Sequence, residues 1–557
     1  LRFGGEFRQG RVNEFYFRRG TGTFTFDGTQ GPWASYCGGN PTVAGCDVNT
    51  TALADFLAGD VSTSSIAVGD AERTVLVNGF DFFGQDNWQV TSKLNLNLGI
   101  RYEYFGPLTS NNGGPDDIGE FIPGQGLVIP KNVFKPDRNN FAPRFGFAYN
   151  PMAGVVIRGG FGVFYDQINI NPFLDFRPPI SAADGLEDNP IGPHPVDNYS
   201  RNAYNWQAVQ AGGASIFPGV TTCLGNTATD PNCNGQMFNV FGINPHLVAP
   251  YIYNYNLNVE KSFGSSIVAQ LGYVGSDAHK LSIMQNINQN GAFNALYPNF
   301  GSILQLNSQG TSNYNSLQAT LKIRSYHGLS GQLAYTWAHA LDEVTEYRET
   351  IPHDTYNLGI DYGNSDFDTR HNFTAFLSYE IPGSSHGPKW LTHGWLVSTL
   401  VSLHTGQPFN PLTGTDPSGT QRPGLNVIAN PFAGVNHTFN LAIGGEQWIN
   451  PNAFCIPGPG CAGPTDPNGD LSRNVFHGPG FADVDLSFFK TIPIKERLRL
   501  QLRAEMYNTF NRINLSSGAF SVGANGVVSD TIGDFNGAPG IGPGEPFNMQ
   551  LAAKIVF

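Results

Sequence analysis

Residues 497–506 read RLRLQLRAEM, and residues 547–557 read FNMQLAAKIVF. In both stretches apolar and polar side chains alternate, so an extended strand would carry one apolar and one polar face. The polar faces hold the charged residues Arg499, Arg503 and Lys554. A soluble sheet with one wet face also alternates, but usually over a shorter span and with fewer large apolar residues. The two stretches therefore predict strands of a membrane-spanning β-barrel.

The composition supports this interpretation. Charged residues make up 13% of the chain, which is about half the usual fraction of a soluble globular protein. No apolar run approaches the roughly 18 residues that a spanning helix needs, because the longest candidate, 395–403, is interrupted by Ser and Thr. In hydrocarbon every backbone donor and acceptor must be paired, and a closed barrel is then the only alternative to helices. No charged or Pro-rich linker divides the chain, so we expect one domain over residues 1–557.

The net charge of -13 argues against nucleic acid as a partner, and no cluster of Lys and Arg with interleaved aromatic residues reverses that. Residue 1 is Leu, and no charged segment followed by an apolar segment begins the chain. We therefore expect the chain to be processed or to begin partway through a longer protein, and we favour the second.

The alternating segments predict an all-β fold with about fifteen antiparallel strands. An Arg or Lys turned toward lipid at the bilayer midplane costs about 2–4 kcal/mol, so we expect the charged faces to line the lumen and the apolar faces to contact outer-membrane lipid. The predicted strands are 1–9, 14–27, 73–89, 92–105, 141–149, 155–166, 251–262, 267–276, 314–325, 329–339, 369–381, 394–404, 480–490, 496–510 and 547–557.

The connections between these strands are predicted to alternate short and long without exception. Short ones lie at 90–91, 150–154, 263–266, 326–328 and 491–495; long ones lie at 28–72, 106–140, 167–250, 277–313, 340–368, 405–479 and 511–546. Bacterial outer-membrane barrels have short periplasmic turns and long extracellular loops, which puts the C-terminus on the periplasmic side. A soluble propeller or sandwich does not easily accommodate such loops.

Aromatic residues near the strand ends predict two interfacial girdles. Trp88, Tyr149, Phe263 and Trp395 lie beside short turns, and Tyr104, Tyr165, Tyr273 and Trp337 lie near long loops.

Six cysteines form three close pairs, each inside a Gly-, Pro- or Asn-rich stretch of a long connection: Cys37 with Cys46, Cys223 with Cys233, and Cys455 with Cys461. This spacing predicts local disulfides and an oxidising compartment. Zinc ligation is the alternative, but the pairs lack the two-residue gap and the nearby His residues of a zinc site.

A series of short motifs matches a known family in order along nearly the whole chain. The motifs are GTFTF (22–26), ADFL (54–57), QDNWQV (85–90), LNLNLGIRYE (94–103), FAPRFGF (141–147), YVGS (273–276), NYNSLQ (313–318), GLS (328–330), AYTW (334–337), SDFDTRH (365–371), GQPF (406–409) and RAEMYNTFN (503–511). Together they resemble the C-terminal barrel portion of Oar-like TonB-dependent outer-membrane receptors. The resemblance implies a barrel of about 22 strands, with a plug domain, a TonB-contacting segment and about seven strands outside this chain.

The resemblance also implies a function. Such a receptor binds a small nutrient, for example a siderophore, an oligosaccharide or a peptide, and admits it when the TonB complex, acting through the N-terminal region, displaces the plug. The aromatic terminus, Phe557, matches the signal by which such barrels engage the outer-membrane insertion machinery. An adhesin or surface-display barrel is the alternative, and a secreted hydrolase on a soluble β scaffold is a third hypothesis.

The sequence predicts no catalytic, cofactor or metal site. Asp361, Asp366, Asp368, Arg370 and His371 could bind a divalent cation or transfer protons, but we interpret them as a rim motif in which Asp and Arg pair and bond the loop backbone. Residues 466–470 lack the downstream Glu of an EF-hand and predict a turn. Residues 540–544 are Gly-rich but lack the strand-to-helix context of a phosphate loop.

Aromatic residues in two long loops are candidates for ligand capture. They are Tyr204, Trp206, Phe409, Trp448 and Phe454. Exposed rings could stack on sugars or aromatic siderophores, or they could pack the loops against each other, and the sequence leaves both alternatives open.

Overall fold

The computed structural model describes most of the chain. The described residues are 1–15, 23–38, 43, 45–61, 63–66, 72–109, 120–128, 131–168, 189–190, 194–195, 238–296, 300–345, 351–412, 424–495, 497–516, 520–521, 526–528 and 546–557.

Fourteen strands follow one another in a continuous antiparallel path, which confirms the predicted all-β architecture. In chain order they are β1 (Arg2–Phe15), β2 (Glu72–Thr91), β3 (Leu94–Phe105), β4 (Phe141–Tyr149), β5 (Val155–Tyr165), β6 (Tyr251–Phe263), β7 (Ile267–Asn286), β8 (Phe300–Tyr326), β9 (Leu329–Asp342), β10 (His371–Ile381), β11 (Trp395–His404), β12 (Phe481–Pro493), β13 (Arg499–Tyr507) and β14 (Asn548–Val556). Each pairs with its neighbours in the sequence order of this path, and β1 and β14 are its two ends.

The strand register gives the sheet an apolar face and a polar face, although some charged residues, among them Asp86, Lys261 and Lys490, lie on the apolar face. On β13, Leu502 lies opposite Ala553 of β14, whereas Arg503 lies opposite Phe489 of β12 and its guanidinium carbon is 5.4 Å from the centre of that ring. Because side chains alternate along a strand, Arg499, Arg503 and Lys554 all lie on the face opposite Leu502. The charged residues Arg499, Arg503 and Lys554 thus share the polar face, as the sequence predicts.

The eight predicted girdle aromatics all lie on the apolar face. The register relates them through pairs such as Phe80 with Tyr104 and Leu317 with Trp337. Trp88, Phe263 and Trp337 are among the exposed large side chains. Amphipathic rings at both strand ends are typical of a membrane interface.

One cation on the apolar face is held by groups near a strand end. Lys490 of β12 donates from Nζ to the carbonyl oxygens of Leu391 (2.9 Å) and His393 (2.5 Å), and lies 4.6 Å from the ring centre of Trp395. These contacts satisfy the ammonium at a position where a free charge would be costly.

Three sequence predictions were wrong in detail. The segments 1–9 and 14–27 are not two barrel strands: β1 is continuous over Arg2–Phe15, and Thr23–Thr25 pairs with Thr63–Ile66 in a separate small sheet. The alternation weakens at residues 9–13 because this part of β1 pairs with 74–78, next to the loops. A strand segment outside the bilayer needs no continuous apolar face.

The predicted long loop at 277–313 is mostly strand. β7 and β8 continue pairing to Asn286 and Leu304, so the connection between them is only 287–299. Alternation fails here because Ile283, Met284, Ile303 and Leu306 are buried although they lie on both faces of the extension.

The predicted strict alternation of short and long connections also fails. Residues 382–394 join β10 to β11 at the end of the sheet where the other connections are short turns. In the described part of the chain, two helices lie in the first long loop, α1 (Pro32–Cys37) and α2 (Val48–Ala58), and a third, α3 (Lys389–Thr392), lies within 382–394. The other connections keep the predicted pattern except 287–299, which is no longer than 382–394.

The loops carry the remaining elements. Single-turn 3-10 helices span Gln289–Gly291, Leu358–Asp361 and Pro451–Ala453. Short strands span Asp60–Val61, Glu120–Ile122, Gly126–Val128, Asn189–Pro190, His194–Pro195, Phe238–Ile243, Gly363–Asn364, Pro408–Phe409, Pro411–Leu412, Asn426–Val427, Asn436–Asn440, Gly445–Gln447, Phe454–Cys455, Phe476–His477, Phe520–Ser521 and Val527–Val528. Within the described part of the chain, no helix is long and apolar enough to cross a membrane.

Two clusters of buried apolar side chains lie among the loops. The first joins the β3–β4 and β5–β6 loops to the β7–β8 extension and includes Leu108, Val133, Leu247 and Leu306. The second joins the β11–β12 and β13–β14 loops and includes Phe409, Leu425, Phe476 and Leu515. The loops therefore form packed assemblies, and their apolar cores fix them relative to the strand ends.

Candidate functional site

The acidic cluster of the sequence is divided among separate hydrogen-bonded partners. Asp361 accepts hydrogen bonds from the backbone N–H and Nδ1 of His353, at 2.8 and 2.6 Å. Asp368 accepts from the backbone N–H of Ala340 at 2.7 Å and from Arg370 at 3.3 Å. These contacts agree with the rim-motif interpretation, since each carboxylate bonds loop backbone or a cation.

Arg473 is the centre of this rim, and its side chain is fully buried. Its guanidinium pairs with Asp342 at the end of β9 and donates to the carbonyl oxygen of Asp342 at 2.8 Å, to Thr345 at 2.7 Å and to Asp366 at 3.2 Å. One cation thereby links the β11–β12 loop to the β9–β10 loop. A multidentate arginine pair of this kind is strong and geometrically specific.

Sequence reasoning missed Arg473, Asp342 and His353. Arg473 lies 131 residues from Asp342, and no local motif marks a contact over that distance. His353 could have been noticed, since an acidic residue follows eight positions later and the segment between them is a short loop.

The candidate capture aromatics have different environments. Phe409 and Phe454 are 7% and 5% exposed and belong to the second loop cluster, so they pack loops together. Trp448 donates from Nε1 to the carbonyl oxygen of His477 at 2.7 Å and lines a cavity. Tyr204 and Trp206 lie outside the described residues.

This large cavity has a volume of about 880 Å³. Its floor is formed by four residues that are paired in one row across β9 to β12, namely Tyr335, Phe373, Leu403 and Ala482. All four lie on the apolar face of the sheet. The rest of the lining comes from His404 and Phe481, which are paired on the polar face of β11 and β12, and from loop residues such as Trp448 and Arg512.

The charge of this cavity is positive. Arg370, Arg512 and three histidines line it, and no Asp or Glu is among its described lining residues. Partial burial lowers the pKa of His477, against the opposing effect of Asp368, so this ring favours its neutral form. Burial also raises the pKa of nearby Glu446, which His437 and Arg512 only partly counter. Arg512 and Arg370, the latter paired with Asp368, are the permanently charged cations of this lining.

A second cavity of about 370 Å³ is polar and lies where the loops meet β4, β5 and β6. Asn140, Tyr165, Tyr251, Lys280 and Gln309 are among its lining residues. Asn140 is 1% exposed, and neither polar atom of its side chain has a partner in the described structure. This side chain therefore lacks the hydrogen-bond partners that buried amide groups usually have.

The polar face of the sheet holds a charge network as well. Asp81 is 1% exposed and pairs with Arg8 at 3.0 Å and with Arg101 at 2.9 Å, and Arg101 also pairs with Glu103 at 2.8 Å. Charges that neutralise one another across strands are compatible with a water-lined interior.

The described cysteines are joined in two disulfides, Cys37 to Cys46 and Cys455 to Cys461, with Cα–Cα distances of 5.5 and 5.8 Å. The predicted pair Cys223 and Cys233 lies outside the described residues. Among those residues, no group of three or more His, Cys, Asp or Glu side chains is arranged to hold a metal ion.

Residues 1–540 match the model of a protein family described as an outer membrane beta barrel domain. Solved structures with a similar chain course include an outer membrane transporter, YddB, from Escherichia coli (11% identity, TM-score 0.46, 90% of this chain and 47% of that chain). They also include the iron transporter FrpB from Neisseria meningitidis (11%, 0.42, 99% and 51%) and the ferric enterobactin receptor PfeA from Pseudomonas aeruginosa (13%, 0.41, 87% and 46%). The chain spans about half the length of these three proteins. No curated protein sequence matches it.

Proposed function

This chain belongs to the outer membrane β-barrel domain family and lies in the bacterial outer membrane, and from that premise we propose that it is the barrel part of a TonB-dependent receptor for a small nutrient. A plug domain and a TonB-contacting segment would be supplied by the region of the parent protein that precedes this barrel. We assign no enzymatic activity to the chain.

The polar cavity at the loop end of the strands carries this proposal. Its volume of about 370 Å³ lies in the range of small-molecule sites, and Asn140 presents an unpartnered donor and acceptor there. Adhesion to another surface needs no enclosed polar cavity, whereas capture of a small, hydrogen-bonding nutrient does. The charged polar face of β1 to β3 would provide a hydrated surface for passage through the barrel.

Uptake by cells that express the full-length gene tests the proposal. Radiolabelled ferric siderophores, oligosaccharides and short peptides would be offered as separate classes, with TonB intact or deleted. We expect one class to accumulate only when TonB is intact, while surface binding survives the deletion. Accumulation that does not depend on TonB, or no accumulation of any class, would contradict the proposal; loss of cell adhesion on gene deletion would then favour the adhesin.

A matched pair of variants tests the capture site. Asn140→Leu removes the amide but keeps the side-chain size, so we expect binding of the transported class to weaken about tenfold, as for one or two lost hydrogen bonds. Asn452→Leu, at an exposed loop asparagine, should leave binding unchanged. Equal binding by both variants would exclude the polar cavity as the capture site.

A further inference from the structure

The cavity of about 880 Å³ lies at the strand ends, with most of its strand residues on the apolar face of the sheet and His404 and Phe481 on the polar face. Its floor is the row Tyr335, Phe373, Leu403 and Ala482, in which each residue is paired with the next across adjacent strands. Val401 is two residues from Leu403 on β11 and therefore lies on the same face, where it pairs with Val484. In an outer-membrane barrel this face contacts lipid, so the floor is continuous with the bilayer surface.

The part of the lining that comes from outside the floor combines cationic and aromatic side chains. Arg512 is exposed, and within the described part of the chain its guanidinium makes one hydrogen bond, to the carbonyl oxygen of Gly480 at 3.4 Å. Nε of Arg370 is buried and has no partner in the described structure, although the other end of that guanidinium bonds Asp368. Trp448 adds an aromatic side chain to the lining of the same cavity. Guanidinium groups above an apolar floor match a molecule with a phosphate head and an acyl tail.

We propose that this cavity binds a phosphate-bearing lipid of the outer leaflet. An acyl chain lies along the Tyr335 to Ala482 row, and Arg512 donates to the phosphate. Tyr335 supports the interfacial position of the head group, since its hydroxyl lies 2.8 Å from Nδ1 of His371 at the strand end. A soluble nutrient is a poorer occupant, because the floor faces the membrane and not the lumen. The inference rests on the family and the register, and it is independent of nutrient uptake.

Lipid retention by the purified full chain tests the proposal. The protein would be extracted in a mild detergent, supplied with a phosphorylated outer-leaflet glycolipid or its dephosphorylated form, and examined by native mass spectrometry. We expect the phosphorylated form to bind, and Arg512→Gln to weaken that binding about tenfold, as for the loss of one charge-assisted hydrogen bond. Ala482→Phe should lower occupancy by filling the floor.

Matched controls separate the cavity from general effects. Arg138→Gln removes an exposed loop arginine elsewhere, and Ala504→Phe enlarges another alanine on the apolar face, opposite Phe488. Both should bind lipid as the unmodified protein does. Equal retention of the two lipid forms, or unchanged binding by Arg512→Gln, would overturn the proposal. If Ala482→Phe does not fold, Arg512→Gln still tests the proposal, because Arg512 is an exposed loop residue.

Discussion

At the scale of single residues, the loops depend on buried charges as much as on apolar contacts. Arg473 is fully buried, so water does not solvate its charge. Asp342, Asp366 and Thr345 stabilise the guanidinium instead. Removing one partner of such a network leaves a buried, uncompensated charge, and this is more costly than the pair is stabilising.

Arg473→Gln is therefore expected to destabilise the β11–β12 loop by about 3–5 kcal/mol. Hydrogen exchange followed by mass spectrometry should show faster exchange in residues 424–480, while β12 to β14 stay protected. Arg497→Gln, at an exposed residue of a short turn, serves as the control. Equal exchange of both variants would show that Arg473 does not fix the loop.

The roles of these residues were only partly predictable. The DFDTRH motif at 366–371 contains alternating acids and a cation, so local pairing such as Asp368 with Arg370 could be predicted from spacing alone. Arg473 could not, because its partners come from segments more than a hundred residues away and are brought together only by the fold.

At the scale of elements, alternation of apolar and polar residues reflects the different surroundings of the two faces of a strand. It is not a property of the strand conformation itself. Where lipid covers one face and water the other, as in β13, the alternation is complete and the strand was predicted. In the β7–β8 extension, Ile283, Met284 and Ile303 are buried although Ile283 and Met284 are neighbours on opposite faces. The alternation disappears there, and the sequence predicted a loop.

Ile303→Ala tests the role of the extension. Ile303 is fully buried and is paired with Val240 of the β5–β6 loop, so we expect the substitution to lower the free energy of unfolding by about 2–5 kcal/mol, through the cavity and the lost transfer free energy. Limited proteolysis of intact outer membranes should then cut the loops faster, with an unchanged amount of inserted barrel. Loop resistance equal to that of the unmodified protein would indicate that the extension does not support the loops.

Paired arginine substitutions test the two faces of one strand. Leu502→Arg puts a charge on the apolar face of β13 and should cost about 2–4 kcal/mol, measured as a shift of the unfolding midpoint in lipid vesicles. Gln501→Arg adds the same side chain to the polar face, beside Arg503, and should cost much less. Similar costs for both substitutions would mean that lipid does not contact the Leu502 face.

At the scale of the whole molecule, the sheet leaves β1 and β14 with one unpaired edge each among the described residues. Unpaired backbone groups in hydrocarbon cost several kcal/mol each, so in the membrane these edges must be paired. We propose that strands from the preceding part of the parent protein close the barrel. The sequence predicted this architecture because alternation recurs in the membrane-spanning part of most strands, whereas the loop cores depend on long-range contacts that carry no periodic signal.

Removing the last strand tests how the whole barrel enters the membrane. A variant of the full-length protein that ends at Pro546 lacks β14 and the exposed Phe557, which we propose as the signal for the insertion machinery. We expect its level in the outer membrane to fall to background, as measured by membrane fractionation. A normal level would contradict that role of the C-terminal strand.

The orientation of β13 is the sharpest test of whether one face of the sheet contacts lipid and the other a hydrated lumen. Single nitroxide labels at each position from 499 to 506, with the native cysteines replaced by Ser, would be compared in lipid vesicles for collisions with oxygen and with a polar nickel chelate. We predict that labels at Leu500, Leu502 and Ala504 meet mainly oxygen, and those at Arg499, Gln501 and Arg503 mainly the chelate. The reverse assignment, or no alternation, would contradict a strand that faces lipid on one side and a hydrated lumen on the other.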